Sequence, residues 1–377
     1  MKTRHETSRY IVRETLAAII ALVTRYERSR YIVRAALVAI ISLFCYVSTA
    51  NLSAQGSMTG EWILEVRPGS DLVYFSIHRR SERGGNFSSS SDIRADSIKG
   101  LSAALTAGNG SAVSFQVIRD AGTFNCEGWF KQGKGSGTFT FVPNQGFAAE
   151  MRSLGYEQLS DDNLFSMAVH DINLQFVRDL SALGYDRLTT DNLFAMRIHG
   201  AGPEFIKAIK AEGYDQVPVD NLVAMRIHGV TPEFIGELKT LGYDHPPVDQ
   251  LVAMRIHGVT ADFVKGLGEL GYKEPPIDQL VAMRIHGVKT DFIKELRELG
   301  YDRIGIDQLV AMRIHGVSTE FAKEVKALGF DRVSPDQLIS MRIHGVTGAF
   351  IQKMKARGFN DASIDQLIDM KIHGYDK

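Results

Sequence analysis

Histidine stands at His170, His199, His228, His257, His286, His315, His344 and His373, one every 29 residues. Two residues before six of these lie Arg197, Arg226, Arg255, Arg284, Arg313 and Arg342, and Lys371 takes the same place before the last. Rows of imidazole can hold a metal or move protons. Rows of guanidinium can grip carboxylate or phosphate. A metal, however, needs several ligands at one point. One histidine per packed helix, at the usual spacing of about 10 Å, keeps the rings apart. The alternative is that each histidine serves the C-terminal end of a helix by bonding local carbonyls. The arginines either pair with an aspartate row, Asp220 and its equivalents, in the next unit, or line a groove for an anionic partner. Arg197–Arg342 and His199–His344 are therefore read as an interaction ladder, with no metal ligand and no catalytic residue assigned.

Other reactive side chains carry less. Cys126 in "TFNCEGWF" alternates with Phe124 and Phe130, which predicts a buried, inert thiol on one strand face. "GWFKQGKG" (128–135) approaches a phosphate-binding loop, but Gly135 stands where a hydroxyl should hold magnesium. Its setting is a β-hairpin, without the helix N-terminus that binds phosphate. No Ser/His/Asp spacing, paired carboxylate signature or cofactor motif is present. An enzyme would have to build its site from dispersed residues around one deep pocket.

The elements that must carry the ladder follow from the repeat. "LVAMRIHGV" occurs four times unchanged, from Leu222, Leu251, Leu280 and Leu309. The glycine of "GY" or "GF" recurs at 155, 184, 213, 242, 271, 300, 329 and 358. A strict period in this range predicts stacked two-helix units, a solenoid. Helix A begins near "PVDNL", with Asp220 in its first turn, and buries Leu222 and Met225. It closes on "RIHG", with Gly229 as its cap. Helix B follows at Thr231–Pro232, with Phe234, Leu238 and Leu241 as its apolar stripe, and Gly242 ends it. In the last copy "SIDQ" (363–366) is a capping box. Ile227 and Val230 are expected to draw the His228 ring toward the core.

Residues 57–143 change pattern. "EWILEV" (61–66), "DLVYFSIHR" (71–79), "SAVSFQVIRD" (111–120), "TFNCEGWFK" (123–131) and "GTFTFV" (137–142) are β-branched and aromatic runs split by turn signals. They predict an antiparallel sandwich or partly closed barrel. "ERGGNFSSSSD" reads as a mobile loop. The fold class is thus α+β in two parts. A small antiparallel β domain (57–143) is followed by an α-solenoid of about eight 29-residue repeats (144–377), after a signal region at 1–54. The array opens on a lone helix B (146–156) and closes on a helix A (365–374). The expected β domain caps one end, and the last repeat offers an exposed end for self-association.

Charge bounds the partners. The 43 basic and 44 acidic residues nearly cancel, but eight of the basic ones lie in the first 34 positions against three glutamates. The remainder is net acidic, which disfavours a polyanion such as nucleic acid. "AALVAIISLFCYVSTANLSAQG" then gives about 14 apolar residues before small and polar ones, the form of a cleaved secretory signal. An uncleaved anchor is the alternative, though the run is short for a span. Phe44 before Cys45 does not suit a lipoprotein signal. "SRYIVRETLAAII" is echoed by "SRYIVRAALVAII", which marks a duplication or a start called too early, with Val33 as another start.

The β domain with "GEWILEV" and "FQVIRDAGTFNCEGWF", followed by "DQLVAMRIHGV" units, resembles regions of bacterial exported proteins of unknown role. It is similar also to extracellular tails of beta-lactam-sensor-type membrane metallopeptidases. The resemblance covers residues 60–377. It implies an envelope-side module, periplasmic or at the cell surface, and a sensor or regulatory ectodomain as an alternative role. It does not imply protease activity, since HExxH is absent. A weaker likeness is to helix-hairpin-helix DNA-binding units, but His228 occupies the first glycine of that turn. Glu233, Asp262, Asp291 and Glu320 stand at the helix starts that would face phosphate. The expectation is a non-enzymatic binding scaffold, with a protein or envelope polymer as partner and no cofactor. Membrane contact is expected only through the N-terminal segment.

Overall fold

The computed structural model describes residues 58–375 apart from 68, 81–84, 103–105, 107–108 and 158. The signal region, Cys45 and the Val33 start lie outside the described residues. The chain divides into two compact units, the first ending at Leu174 and the second beginning at Gln175.

In the first unit seven antiparallel strands form one sheet. They are β1 (Met58–Val66), β2 (Leu72–Arg80), β3 (Asn86–Arg94), β4 (Ile98–Lys99), β5 (Asn109–Arg119), β6 (Gly122–Lys131) and β7 (Lys134–Pro143), in the order β3-β2-β1-β7-β6-β5-β4. Of the two expected forms it is the partly closed barrel. Inward residues of β2 and β3 (Phe75, Ile77, Ile93) and of β5 and β6 (Val117, Phe124) line one common space. The expected loop at "NFSSSSD" is instead strand β3, paired with β2 from Asn86↔Arg80 to Arg94↔Leu72. Phe87 and Ile93 supply its inward face, and small serines fit an edge strand where bulk is not needed. "GWFKQGKG" lies in the β6–β7 hairpin, turning at Gln132 (φ 51°) and Gly133 (φ 80°).

The sheet closes around aromatic rings. Trp62 is fully buried, and its Nε1–H donates to the carbonyls of Glu127 (3.2 Å) and Thr138 (3.0 Å). Phe124, Cys126 and Phe130 share its face as expected, and burial pushes the Cys126 thiol up to about 12. That thiol is protonated and unreactive at neutral pH.

Helices α1 (Gln145–Ser153) and α2 (Asp161–Val169) complete this unit. Phe165 of α2 fills the mouth of the half-barrel, with ring centroids 5.3–5.7 Å from Phe87, Phe124 and Phe141. Arg79 lies over the same ring at 5.2 Å and bonds Asp162 at 2.8 Å. The last two residues read into α2, Ala168 and Val169, line the mouth.

In the second unit α3 (Leu174–Ala182) opens a series of fourteen helices that ends at α16 (Ile364–Ile372). A and B helices alternate, and A stacks on A and B on B. The pair α6 (Val219–Ile227) and α7 (Pro232–Thr240) represents the unit. Leu222, Val223 and Met225 face inward from α6, and Phe234, Ile235 and Leu238 from α7. Gly229 (φ 71°) stops α6, where Val230 N–H reaches the Met225 carbonyl at 2.8 Å. That six-to-one bond is the Schellman stop, and it requires a residue free to take positive φ. Thr231 caps α7 through Phe234 N–H. The capping box at Ser363–Gln366 forms as read.

Candidate functional site

The arginine row is built by stacking. Each guanidinium lies over the phenylalanine of the preceding B helix: Arg226 over Phe205, Arg255 over Phe234, Arg284 over Phe263 and Arg313 over Phe292. The separations are 5.0–5.1 Å. Arg197 and Arg342 do the same at 5.2 Å over Phe176 and Phe321, and Lys371 at 5.0 Å over Phe350. The guanidinium also lies against the glycine that ended the preceding A helix. A Cβ on Gly200 would stand 3.1 Å from Arg226 Nη2, and one on Gly258 3.3 Å from Arg284 Nη2. Arg226 Nε–H donates to the His199 carbonyl at 3.4 Å. The planar cation rests on a ring beside a bare turn, and in the last unit the Lys371 ammonium takes the same place.

This corrects the expected pairing of Arg226, Arg255, Arg284, Arg313 and Arg342 with the aspartate row. The later members of that row are taken by amides of the preceding A helix: Gln279 donates to Asp307, Gln308 to Asp336 and Gln337 to Asp365, at 2.7–3.0 Å. The amide lies beside the next helix start along the stack, whereas the arginine points across to the B layer.

The histidines end the A helices half-buried or exposed. Burial holds His199, His228, His257 and His286 below the ordinary imidazole value. His228 and His286 bury Nε2 without a hydrogen-bond partner, which a protonated ring would tolerate poorly. His373 differs, donating from Nδ1 to the Asp369 carbonyl at 2.9 Å. Among the described residues no group of three or more His, Cys, Asp or Glu side chains could hold a metal ion.

These four rings predict an acid-side loss of stability. A base whose folded pKa lies below its unfolded value stabilises the fold fully above about 6.5. That stabilisation is lost as pH falls below it through the lower folded value. Carboxylates held low, Glu233 and Glu320, respond only below their ordinary value of 4.5. The melting temperature is expected to fall from pH 7 to pH 5. Replacing His228, His257 and His286 together by Gln should flatten that slope. A melting temperature that climbs toward pH 5 would mean that the rings act as helix-end cations.

One row escaped the sequence reading. Ile227 was expected to turn inward with the histidine, but it is 45 % exposed, and only Val230 is buried. Ile198, Ile256, Ile285, Ile314, Ile343 and Ile372 repeat this exposure, between 41 % and 55 %. In the second unit, seven of the nine large apolar residues found exposed among the described ones belong to this row; the others are Phe359 and Tyr375. On helix A, residues 220, 224 and 227 fall on one face at i, i+4, i+7. The outward face of the A layer therefore carries rows of aspartate, alanine and isoleucine. The B layer exposes Glu233, Glu237 and Lys239 instead.

Tyrosines bind unit to unit. The hydroxyls of Tyr185, Tyr214, Tyr243 and Tyr272 donate to the carbonyls of Val217, Pro246, Pro275 and Ile304, at 2.6–2.8 Å. Burial pushes Tyr214 and Tyr243 up to about 12. Phe330 and Phe359 stand at the same repeat position without a hydroxyl.

A shallow notch opens between successive units, lined by Arg255, Phe234, Glu233, Glu237 and Asp262. Its two threonines, Thr231 and Thr260, both cap helices. Among the described residues no helix is long and apolar enough to cross a membrane. No protein-family model matches the chain, and no curated protein is significantly similar to it.

Proposed function

We propose that the chain is a non-enzymatic binding scaffold of the bacterial cell envelope, and that it works through the outward face of the A-helix layer. The isoleucine row carries this reading. A solvent-facing position in the last turn of a helix favours lysine or arginine, which suit the helix dipole. Isoleucine there is β-branched and leaves apolar area in water, so folding does not call for it. Seven copies at one face mark a surface that meets something else.

The arginine row supports the same division of labour. Resting on a phenylalanine beside a glycine turn, it holds the units together. A phosphate-bearing partner is disfavoured, because the helix starts that would receive it already hold a carboxylate. Glu233 and Glu320 are kept low by backbone N–H groups and by Thr231 and Ser318. The basic flank and apolar run of the N-terminal segment support export.

The test is affinity capture from an envelope extract, with the wild type and a variant carrying Ile256→Lys, Ile285→Lys and Ile314→Lys. A protein or envelope polymer retained by the first and lost by the second is the expected result. Equal retention by both would place binding elsewhere. N-terminal sequencing of the mature chain should begin near residue 55, and an intact N-terminus on a cytoplasmic protein would overturn the envelope assignment.

A further inference from the structure

We infer that the isoleucine row is a self-association surface, and that a second copy of this chain covers it row against row. The inference rests on the reading of the A-layer face as the working surface and names its occupant.

Spacing comes first. One isoleucine per unit fixes the rungs at the stacking step, about 10 Å for packed helices, so seven rungs extend about 60 Å. A partner must present apolar groups at the same rise over the same length to cover them all. The array itself has that rise, and a two-fold axis lets a row meet its own copy.

Area comes second. An isoleucine side chain presents on the order of 100 Å² of apolar surface, so seven at roughly half exposure offer on the order of 400 Å². The alanine row, Ala195, Ala224, Ala253, Ala282 and Ala311, is partly exposed beside it. The isoleucines alone supply about half of the roughly 800 Å² per partner that a stable dimer buries, and the alanine and polar rows beside them must supply the rest. The alanine row gives way to Ser340 and Asp369 in the last two units, which centres the apolar strip on Ile227–Ile314.

The third observation lies within the first unit. Val169 occupies the row's position in the first repeat, 29 residues before Ile198, and there it is half-buried. Val169 and Ala168 sit in the mouth of the half-barrel beside Phe75, Ile77, Val117 and Phe124. The same helix face thus already serves once as a packing surface inside this chain.

Sedimentation equilibrium of the full exported chain, over a micromolar concentration series, tests the inference. The wild type should be a dimer. The variant with Ile256→Lys, Ile285→Lys and Ile314→Lys should raise the dissociation constant by about 100-fold or more. The triple Ile→Ala variant should fall between them. Circular dichroism should show unchanged helix content in both, since the row stands 41–55 % exposed and outside the buried core. A wild type that stays monomeric overturns the inference, and so does a Lys variant that dimerises as well as the wild type. If dimerisation instead fails only on Phe359→Asp, association runs end to end and the row is not the surface. A monomeric wild type that still captures an envelope component through the row would sink self-association while keeping the binding scaffold. A monomer that captures nothing sinks both.

Discussion

Removing residues 230–258, one full period, is expected to leave a shorter array that still folds cooperatively. Removing residues 230–243 is expected to abolish folding of the second unit. The first excision joins Gly229 to Val259 and restores "HGV" at the seam. The packing contacts between neighbouring units are then re-formed by equivalent residues, arginine on phenylalanine and Tyr214 on the Pro275 carbonyl, while the glutamine–aspartate bonds of the later units are untouched. The second excision deletes α7, with Phe234, Ile235 and Leu238. It strips Arg255 of its ring and exposes the apolar groups those three had covered on both sides. Burying a large apolar side chain contributes about 1.5–3 kcal/mol, and the loss across both faces is on the order of 10 kcal/mol. That equals the whole stability of an ordinary domain, about 5–15 kcal/mol. Urea unfolding followed by circular dichroism checks both. If the two deletions are equally harmful, stability does not pass from neighbour to neighbour as it does in modular arrays.

Gly137→Ala should be the most damaging single methyl group in the first unit. Gly137 faces Gly128 across β6 and β7 and Trp62 across β1 and β7. A Cβ at 137 would fall inside the shell of the Glu127 carbonyl oxygen and 2.6 Å from Gly128 Cα. Both are backbone, so nothing can swing aside. The Glu127 carbonyl is also an acceptor for the Trp62 indole, so moving that strand breaks a buried hydrogen bond as well. Overpacking costs about 1–3 kcal/mol, and losing one of the indole's two hydrogen bonds costs about 0.5–1.5 more, since Thr138 keeps the other. The expected loss is therefore several kcal/mol. It should be read as a lower denaturation midpoint with altered emission from Trp62, one of two tryptophans in the chain. A midpoint within experimental error of the wild type would show that the hairpin is less tightly set than its contacts indicate.

The repeat made the array legible. Glycines with positive φ, Thr231 and Ser363 as caps, and the buried Leu222, Met225 and Phe234 are local consequences of residue type, and all were readable before folding. Ile227 was misread because its neighbour Val230 is buried, and two apolar residues flanking one histidine look alike in sequence. The helical wheel separates them, since 227 shares its face with Asp220 and Ala224. The arginine's partner was misread for another reason. Stacking on a phenylalanine 21 positions earlier leaves no charge pattern to find, whereas the aspartate row offered a partner of opposite sign. Strand β3 was hidden by its serines, which carry a loop's composition in a strand's alternation. The role of Phe165 as the plug of the half-barrel depends on the sheet's curvature, and curvature has no local signature.

The tyrosine bonds have a mechanical consequence. Each runs from one unit to the next along the stack, so a pull on the chain ends loads them in series. Tyr185, Tyr214, Tyr243 and Tyr272 resist with a hydroxyl gripping a carbonyl, whereas Phe330 and Phe359 offer only ring packing. Under tension the array is a graded spring, soft toward its last units and stiff toward its first. A force ramp should peel it from the C-terminal side, one 29-residue step at a time, with the later steps rupturing at higher load.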